Sequence, residues 1–388
     1  MNYKETLIVC TEKRFSLNHE GKIVNDDGTR DVKFWSRYLA VFKNVIVVAR
    51  VNKKKQSFSL NYVENKNIIV YPLTNYQGII GGLKSLPKLK RQIRKLVDSN
   101  IHCAFILRTP GTISNMIANQ LIDKKRLYSV EIVGDPYEVH KHKGGFGSTL
   151  LANIEKKNLH RILKHASFAA YVTKYALQRN YPFEGTWQTY YSSISLHSSF
   201  FIHSRKYDEP KLKIIGIGSL ETKYKGLDYV LDALYSLKSN GVQFRYTWVG
   251  GGKLFTKYEN KIKYLNLSDS VTLLGEIPNY RIPEYLSNNN VFLLSSLTEG
   301  LPRVLIEAMA SRLICIGTDV GGVSELLTDD CLIAPGNSDD IFKKMLEVNN
   351  NFDKFLNKIE LQYQRAIEFS QKILTERRNE FYQRVATN

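Results

Sequence analysis

The chain has 388 residues, of which 43% are hydrophobic and 24% are charged. This composition excludes a disordered chain, and the length is enough for two to three domains. No apolar run approaches the roughly 18 residues needed to cross a bilayer, and the apolar block near the N-terminus is too short for a signal peptide. The sequence therefore predicts a cytoplasmic protein.

Positive charge is concentrated in the first half of the sequence. The formal net charge is +18, and residues 1–200 contain 31 Lys and Arg against 14 Asp and Glu, whereas residues 201–388 contain 24 against 23. This asymmetry predicts two domains with different partners, the first of which meets an acidic one: a membrane surface, a phosphate-bearing substrate or a nucleic acid. The four cysteines lie far apart, which favours buried apolar side chains over disulfides or metal ligands.

In chain order, the first half alternates between short apolar runs and segments with helical spacing. The runs predict strands at 7–10, 45–48, 68–71, 105–107, 130–133 and 169–172, and the spacing predicts helices at 34–42, from 83, at 113–122 and at 150–163. Such alternation is typical of a mostly parallel sheet covered by helices. The pattern fades through 181–207, where we expect irregular chain and a linker that ends near 210.

A second series of strands and helices follows. Strands are predicted from 214, at 244–249, 271–274, 291–294 and 313–316, and helices at 226–237, from 302 and from 322. The whole pattern predicts an α/β protein with two Rossmann-like domains, over 1–205 and 211–364. The last segment, 365–388, is a basic amphipathic run that predicts a helix.

The clearest chemical signal follows the strand predicted at 291–294. There, Glu299-Gly300-Leu301-Pro302 is typical of a strand-to-helix turn with proline at the first helical position. The free N–H groups of such a helix can bind a pyrophosphate, and glycine lets the backbone approach closely. Glu299 and Glu307 would bracket this anion pocket, Glu299 near a sugar ring and Glu307 near a ribose diol. If the two glutamates were an isolated pair, Glu299 could simply cap the helix and Glu307 could be solvated.

The run from Glu299 to Ala310, followed by Gly-Thr-Asp-Val-Gly-Gly-Val-Ser-Glu-Leu, resembles the family 4 (group 1) retaining glycosyltransferases. The resemblance covers about 213–345. It implies the GT-B fold, in which two Rossmann-like domains face a cleft and the C-terminal helix crosses back to the first domain. It further implies that Glu299 lies beside the donor sugar and Glu307 beside the nucleotide ribose. The donor-binding turn would include Gly300, Leu301, Pro302 and Arg303.

The segment 216–228 resembles the part of the family in which a strand ends and a Lys-Gly pair precedes a helix. Lys225 falls on the family's phosphate-binding lysine, and a positioned cation suits the charge that develops on a leaving diphosphate. Gly218 and Ser219 belong to the same donor-binding segment. Ser219 stands where the family has arginine, a departure for which Lys223 or Arg303 could compensate.

Two further parts of the sequence belong to the comparison with this family. Gly250 and Gly251 follow a predicted strand and are similar to the family's glycine turn near the nucleotide base. Arg312 stands where the family commonly has glycine, and we expect its side chain to lie outside the pocket.

The first half resembles the family more loosely, mainly through its alternating strands and helices. Because the carboxyl ends of parallel strands line the crevice of a doubly wound sheet, Arg108, Glu131 and Asp135 are candidates for the acceptor side of the cleft. Asp135 is also a candidate catalytic residue, together with Glu299 and Lys225. The three first-half residues would fit turn or surface positions equally well.

We expect no metal and no other cofactor. The sequence contains no D-x-D, the motif with which metal-dependent nucleotide-sugar enzymes of the other main fold hold the cation on the diphosphate. A helix N-terminus and a lysine would replace that cation. His140 and His142 form an H-x-H pair without a third ligand at metal-like spacing, which favours a solvated basic loop.

The resemblance implies an enzyme that moves a sugar from a nucleotide diphosphate sugar to a saccharide or lipid-linked saccharide in surface polysaccharide synthesis, with retention of configuration. Two alternatives remain open. One is a nucleotide-sugar 2-epimerase of the same fold. The other is a nucleic-acid-binding protein, prompted by the basic first half but without a recognisable binding motif, so that no nucleic acid is expected as a partner.

The helix predicted over 83–97 is a candidate for contact with a membrane. Its apolar residues recur at helical spacing, and its other positions carry Lys88, Lys90, Arg91, Arg94 and Lys95. This pattern is typical of a helix on an anionic membrane surface, which would make the protein peripheral on the inner face of the membrane. A helix packed in the core with a solvated basic face explains the pattern equally well.

Overall fold

The computed structural model describes residues 3–26, 28–137, 148–194, 196–207 and 212–388. They divide into two compact units. Unit 1 comprises the described residues up to Tyr191 together with Thr375–Asn388, and unit 2 comprises the described residues of Ser192–Leu374. His140 and His142 lie outside the described residues.

The described part of unit 1 is built on one eight-stranded sheet. Its strands are β1 (Thr6–Asn18), β2 (Ile23–Val24), β3 (Asn44–Ser57), β4 (Ile68–Thr74), β5 (Ala104–Thr109), β6 (Ser129–Ile132), β7 (Phe168–Tyr171) and β8 (Trp187–Tyr190). The order is β4-β3-β1-β5-β6-β7-β8, with parallel pairing throughout, and β2 pairs antiparallel with β1. The mostly parallel sheet predicted for the first half is confirmed.

The helices of unit 1 cover this sheet. They are α1 (Val32–Trp35), α2 (Gly78–Ser99), α3 (Thr112–Asp123), α4 (Ser148–His165) and α5 (Ala176–Asn180). Apolar residues of α2, α3 and α4 share one buried cluster with the strands, among them Leu89, Ile117 and Ile162. Spacing of three and four residues places such side chains on one helix face, so burial of that face fixes each helix on the sheet.

Three details of unit 1 differ from the predictions. β1 continues to Asn18 beside β3, with a register shift after Cys10, because Phe15 is fully buried there. The helix predicted at 34–42 is instead a single turn, α1, followed by a 3₁₀ helix at Ser36–Ala40. β8 lies in the segment expected to be irregular.

Unit 2 is built on a six-stranded parallel sheet. Its strands are β9 (Leu212–Ile217), β10 (Phe244–Val249), β11 (Val271–Leu273), β12 (Val291–Leu294), β13 (Ile314–Thr318) and β14 (Leu332–Ile333), in the order β11-β10-β9-β12-β13-β14. The described helices are α6 (Leu227–Ser239), α7 (Phe255–Tyr264), α8 (Ile282–Ser287), α9 (Arg303–Ala310), α10 (Val323–Leu326), α11 (Ser338–Asn350) and α12 (Phe352–Ile367). This is the second Rossmann-like domain that the sequence predicts.

The chain passes from unit 1 to unit 2 after Tyr191, earlier than the linker expected to end near residue 210. The described residues of 192–207 belong to unit 2, to which they are tied by hydrogen bonds. The Ile202 N–H donates to the Ala310 carbonyl over 3.1 Å, and the Arg205 guanidinium donates to the Ser311 carbonyl over 2.8 Å.

The last helix, α13 (Gln371–Ala386), begins in unit 2, and from Thr375 onward its residues belong to unit 1. There Phe381 and Tyr382 are fully buried. The Phe381 ring lies 6.3 Å from that of Trp187, and the Tyr382 ring 4.7 Å from that of Tyr38. The end of the chain is therefore part of the core of the unit that the N-terminus begins. In the described part of the chain, no helix combines the length and apolarity needed to cross a membrane.

Candidate functional site

The candidate site of unit 2 lies where β9 and β12 end. The two strands are neighbours and run parallel, so the loops that follow them meet at one edge of the sheet. The loops are tied together by hydrogen bonds: the Leu297 N–H donates to the Tyr224 carbonyl over 2.7 Å, and the Ser295 hydroxyl donates to the Lys225 carbonyl over 2.8 Å. The site is thus held by main-chain groups of both loops.

Lys225 and Glu299, predicted from separate motifs, form an ion pair in this site. The Lys225 Nζ lies 2.6 Å from the Glu299 Oε1, and both side chains are only 12% exposed. The Ser296 hydroxyl donates to the same carboxylate oxygen over 2.7 Å. Burial lowers the pKa of Lys225, but the Glu299 carboxylate outweighs burial and holds that pKa above its ordinary value. The lysine is therefore a permanent cation at neutral pH.

Glycine is required at position 226, directly after Lys225. Gly226 has a φ of +72°, and a Cβ there would lie 2.0 Å from the Ser295 carbonyl oxygen. A Cβ on Gly218 would lie 2.9 Å from the Cδ of Lys225. The Lys-Gly pair seen in the sequence is therefore the consequence of a tight turn against the neighbouring loop.

The glycine turn after β10 packs on the segment that carries Gly218. The Gly250 N–H donates to the Gly275 carbonyl over 2.7 Å, and the Leu220 N–H donates to the Gly251 carbonyl over the same distance. A Cβ on Gly250 would lie 2.0 Å from the Gly218 carbonyl oxygen. The structure therefore brings together two glycine segments that the sequence predicted separately.

The turn before α9 differs in one detail from the prediction. Pro302 has a φ of −73° and a ψ of 107°, so it lies just outside the helix, which begins at Arg303. Gly300 in this turn is anchored from the loop after β13, since the Gly322 N–H donates to the Gly300 carbonyl over 2.7 Å. The helix start is held in place, and its first N–H groups have no partner within the helix.

Glu307 lies four residues after the start of α9, about 6 Å along the helix axis at 1.5 Å per residue. Its side chain is partly buried, and burial raises its pKa to about 7, an increase that nearby Arg303 partly offsets. This carboxyl group therefore changes its charge near neutral pH. A polar ligand that donates hydrogen bonds would favour its ionised form.

The two departures from the family pattern have different structural settings. The Ser219 hydroxyl accepts a hydrogen bond from the Glu221 N–H over 3.2 Å and supplies no charge, whereas Lys223 and Arg303 are exposed cations. Arg312 has a φ of +54°, a conformation that favours glycine, and its guanidinium stacks on the Tyr363 ring at 4.0 Å. The arginine side chain is thus occupied by its own packing.

The unit 1 candidates are buried and paired with protein groups. Arg108 and Glu131 form an ion pair, with 6% and 3% of their side chains exposed, and Glu131 also accepts hydrogen bonds from Tyr38 at 3.1 Å and Tyr191 at 2.8 Å. Burial raises the pKa of Glu131, but Arg108 and Arg37 outweigh it and the pKa is lowered. These contacts support an architectural role, and the assignment to the acceptor side stays a prediction.

Asp135 has different partners from Arg108 and Glu131. It accepts hydrogen bonds from the Tyr181 hydroxyl at 2.5 Å, the Asn180 amide at 3.2 Å and the Tyr137 N–H at 2.9 Å. Its side chain is therefore held on the loop after β6. A catalytic role for Asp135 likewise stays a prediction.

Sequence reasoning missed Glu12, which lies on β1 at the N-terminus of α3. Its Oε1 accepts from the Ile113 N–H over 2.6 Å, and its Oε2 lies 3.0 Å from the Arg50 guanidinium. A Cβ on Gly111 would lie 2.3 Å from the Glu12 side chain. The Pro-Gly pair before α3 was the available signal, but nothing in the sequence connects this helix start to Glu12, which lies 101 positions before Ile113.

Among the residues that the structure describes, no three His, Cys, Asp or Glu side chains are grouped so that they could hold a metal ion.

Comparison with known proteins locates the family signal in unit 2. The sequence model of the Glycosyl transferases group 1 matches residues 199–361. The chain is 27% identical to Protein CapJ of Staphylococcus aureus over 312 residues, which are 78% of this chain and 76% of CapJ. It is 37% identical to the amylovoran biosynthesis glycosyltransferase AmsK of Erwinia amylovora over 122 residues, or 30% of either chain.

Solved structures match over nearly the whole chain. Sucrose-phosphate synthase from Thermosynechococcus elongatus superposes with a TM-score of 0.72 at 15% identity, covering 99% of both chains. HepE from Anabaena, in complex with UDP and glucose, superposes with a TM-score of 0.65 at 16% identity, covering 98% of this chain and 99% of HepE. At these identities the likeness concerns the fold. Residues 199–361 thus match the group 1 glycosyl transferases, and the chain is a glycosyltransferase with the GT-B fold.

Proposed function

We propose that this glycosyltransferase moves a sugar from a nucleotide diphosphate sugar to a saccharide or lipid-linked saccharide in surface polysaccharide synthesis, with retention of anomeric configuration. Unit 2 binds the donor. Unit 1 binds the acceptor, and its excess of cations suits an acidic one.

The Lys225–Glu299 pair is the observation that carries this proposal. A cation and a carboxylate, both only 12% exposed, lie beside the turn that leads into α9. A donor diphosphate needs a cation at its phosphates, and a developing oxocarbenium-like sugar is stabilised by a nearby carboxylate. Glu307, further along α9, offers an acceptor for the ribose hydroxyls.

The comparisons support the choice of donor and pathway. HepE was solved with UDP and glucose, and AmsK is named for amylovoran biosynthesis. Retention rests on the resemblance of the Glu299 to Ala310 run to the family 4 enzymes. The helix N-terminus and Lys225 would do the work that a metal does elsewhere.

Peripheral contact with an anionic membrane is part of the proposal. The structure buries Leu89, Ile93, Leu96 and Val97 of α2 in the core of unit 1, so these residues cannot enter lipid. The cations of the helix remain exposed, and near its start Ile80 is 72% exposed and Leu83 61% exposed. Membrane contact would therefore rest on charge and on these two aliphatic side chains.

A thermal-shift screen of nucleotide diphosphates tests the donor site. A ligand at 100 times its dissociation constant stabilises a protein by about 2.7 kcal/mol. We expect one nucleoside diphosphate to raise the Tm of the wild type and to raise that of Glu307→Ala far less at the same concentration. If no nucleoside diphosphate stabilises the protein, the donor assignment is wrong.

Product analysis then tests the reaction. We expect sugar transfer only when an acceptor is present, with the product in the anomeric configuration of the donor, as read by NMR. Turnover of the donor without any acceptor would point to the 2-epimerase reaction instead.

A further inference from the structure

Unit 1 contains an open cavity that none of the predicted site residues line. Its volume is about 620 Å³, within the roughly 300–1,000 Å³ typical of small-molecule sites. It lies beside the carboxyl-terminal half of β3, the end of β4 and the middle of α2. The carboxyl ends of parallel strands are where doubly wound sheets bind ligands. The cavity therefore occupies the position expected of a binding site.

The lining combines the groups that recognise sugars. Pro72 provides exposed apolar surface, and Tyr76 provides an aromatic ring that the Arg50 guanidinium supports from 4.6 Å. The strand end is fixed by Gln92, whose side-chain oxygen accepts from both the N–H and the hydroxyl of Thr74, at 3.1 and 2.9 Å. An apolar surface with a rigid polar margin suits the mixed faces of a saccharide.

In this lining, the side-chain oxygen of Asn75 has no hydrogen-bond donor among the described residues. Its Oδ1 is buried and accepts no hydrogen bond from any described residue. Buried polar atoms are nearly always paired in folded proteins, so such an atom in a cavity wall calls for an external donor. A sugar hydroxyl is a donor of the right kind.

The charged side chains in the described lining of the cavity are both lysines. Lys53 and Lys88 line it, and no Asp or Glu is among the described residues of its lining. Both lysines are exposed. Nearby Arg50 is neutralised by Glu12 at 3.0 Å, which leaves the two lysines as the cations available to a ligand. Two unopposed ammonium groups favour an anionic one.

We propose that this cavity binds an acidic saccharide, in which a carboxylate or a phosphate group meets Lys53 and Lys88 while the sugar ring packs on Tyr76. The ligand's identity as the acceptor rests on the function proposed above. The binding itself does not depend on that function.

Calorimetric titration with soluble disaccharides tests the cavity without a membrane and without turnover. The probes are a glucuronate-terminated disaccharide, its 6-phosphoglucose-terminated analogue and its glucose-terminated analogue. We expect the wild type to bind at least one acidic probe about tenfold more tightly than the neutral probe. The acidic probe with the lower Kd indicates whether the site prefers a carboxylate or a phosphate group.

Variants then assign the preference to the two lysines. In the double variant Lys53→Gln and Lys88→Gln, we expect the preference for the acidic probe to disappear and the affinity for the neutral probe to stay within about twofold. Lys66→Gln removes one charge from an exposed position of unit 1 outside the cavity and should keep the preference. Equal binding of all three probes by the wild type, or an equal loss in Lys66→Gln, would overturn the inference.

A transfer assay separates this inference from the proposed function. Lysine-dependent binding of the acidic probe by a protein that transfers no sugar would leave the cavity assigned and the transfer proposal wrong. Transfer to the acidic probe with the same KM in the double variant as in the wild type would overturn the inference and leave the transferase intact.

Discussion

The Nζ of Lys225 and the Oε1 of Glu299 lie 2.6 Å apart, although 74 residues separate them in the chain. The contact exists because β9 and β12 are neighbours in the sheet of unit 2. In the proposed function, a donor diphosphate would meet a lysine that already has a carboxylate partner. An ammonium group has three donors, so Lys225 can hold the diphosphate while Glu299 faces the sugar.

We expect Lys225→Ala and Glu307→Ala to affect different kinetic constants. Lys225 is proposed to face the charge that grows as the bond to the diphosphate breaks, so its loss should mainly lower kcat. Glu307 is proposed to hold the ribose in ground and transition state alike, so its loss should mainly raise the donor KM. Steady-state kinetics with varied donor measures both. Near-normal constants in both variants would contradict the site assignment.

Glu299→Gln should lower kcat by roughly 10² or more while nucleoside diphosphate binding stays nearly intact. The amide keeps the size of the side chain but lacks the charge that favours an oxocarbenium-like state. Calorimetric titration with the nucleotide provides the comparison. A large loss of nucleotide affinity would instead assign Glu299 to the organisation of the loop.

Nucleotide affinity should depend on pH through Glu307. Burial raises its pKa to about 7, and a ribose diol that donates hydrogen bonds prefers the ionised carboxylate. As the pH rises through 7, the ionised fraction grows, so the Kd of the nucleotide should fall and then level off. Below pH 7 the Kd should rise by up to about tenfold per pH unit.

Titrations of the nucleotide from pH 5.5 to 8.5 measure this dependence, and Glu307→Gln is the control. The amide does not titrate, so its curve should be flat over the range that Glu307 dominates in the wild type. The same slope in both proteins would assign the dependence to another group, such as the phosphates of the ligand.

Gly226→Ala should destabilise unit 2 more than Gly241→Ala. Both glycines have φ near +70°, so alanine at either position carries a backbone cost of about 1–2 kcal/mol. At Gly241 a Cβ would meet nothing within 4 Å, whereas at Gly226 it would lie 2.0 Å from the Ser295 carbonyl oxygen. Urea unfolding compares the two variants, and equal losses would mean that the loop moves aside.

Anionic lipid should recruit the protein through the exposed cations of α2. Each cation near an anionic surface contributes about 1 kcal/mol, and salt should weaken the effect. Sedimentation with liposomes that contain or lack anionic lipid compares the wild type with a variant in which five residues become Gln: Lys88, Lys90, Arg91, Arg94 and Lys95. Equal partitioning of both proteins would leave this face as solvated surface.

Short-range patterns predicted most of the strands because a buried strand needs an apolar run. The strands at 244–249 and 291–294 have the predicted bounds. α7 carries the sequence Phe-Thr-Lys-Tyr-Glu-Asn-Lys-Ile-Lys-Tyr and buries mainly Tyr258 and Ile262, so its apolar signal is too weak to recognise. β8 was missed for a related reason, since its burial depends on the distant residue Phe381.

In the candidate site, too, local motifs could be recognised in the sequence, whereas contacts between distant residues could not. The residues Lys225, Glu299 and Glu307 belong to contiguous motifs, so the sequence could indicate them. The Lys225–Glu299 contact itself depends on the order of the strands. The cavity beside Lys53 and Lys88 was not predicted, because its walls come from three elements whose packing no local pattern specifies.

The route of the chain through the two units has a consequence for synthesis on the ribosome. Unit 2 is formed almost entirely by one continuous stretch, Ser192–Leu374, whereas unit 1 needs residues from both ends of the chain. Phe381 and Tyr382 are synthesised after all of unit 2. The unit whose synthesis starts first should therefore be the last to complete its fold, and a released fragment that ends at Leu374 should contain a protease-resistant unit 2 beside a protease-sensitive unit 1.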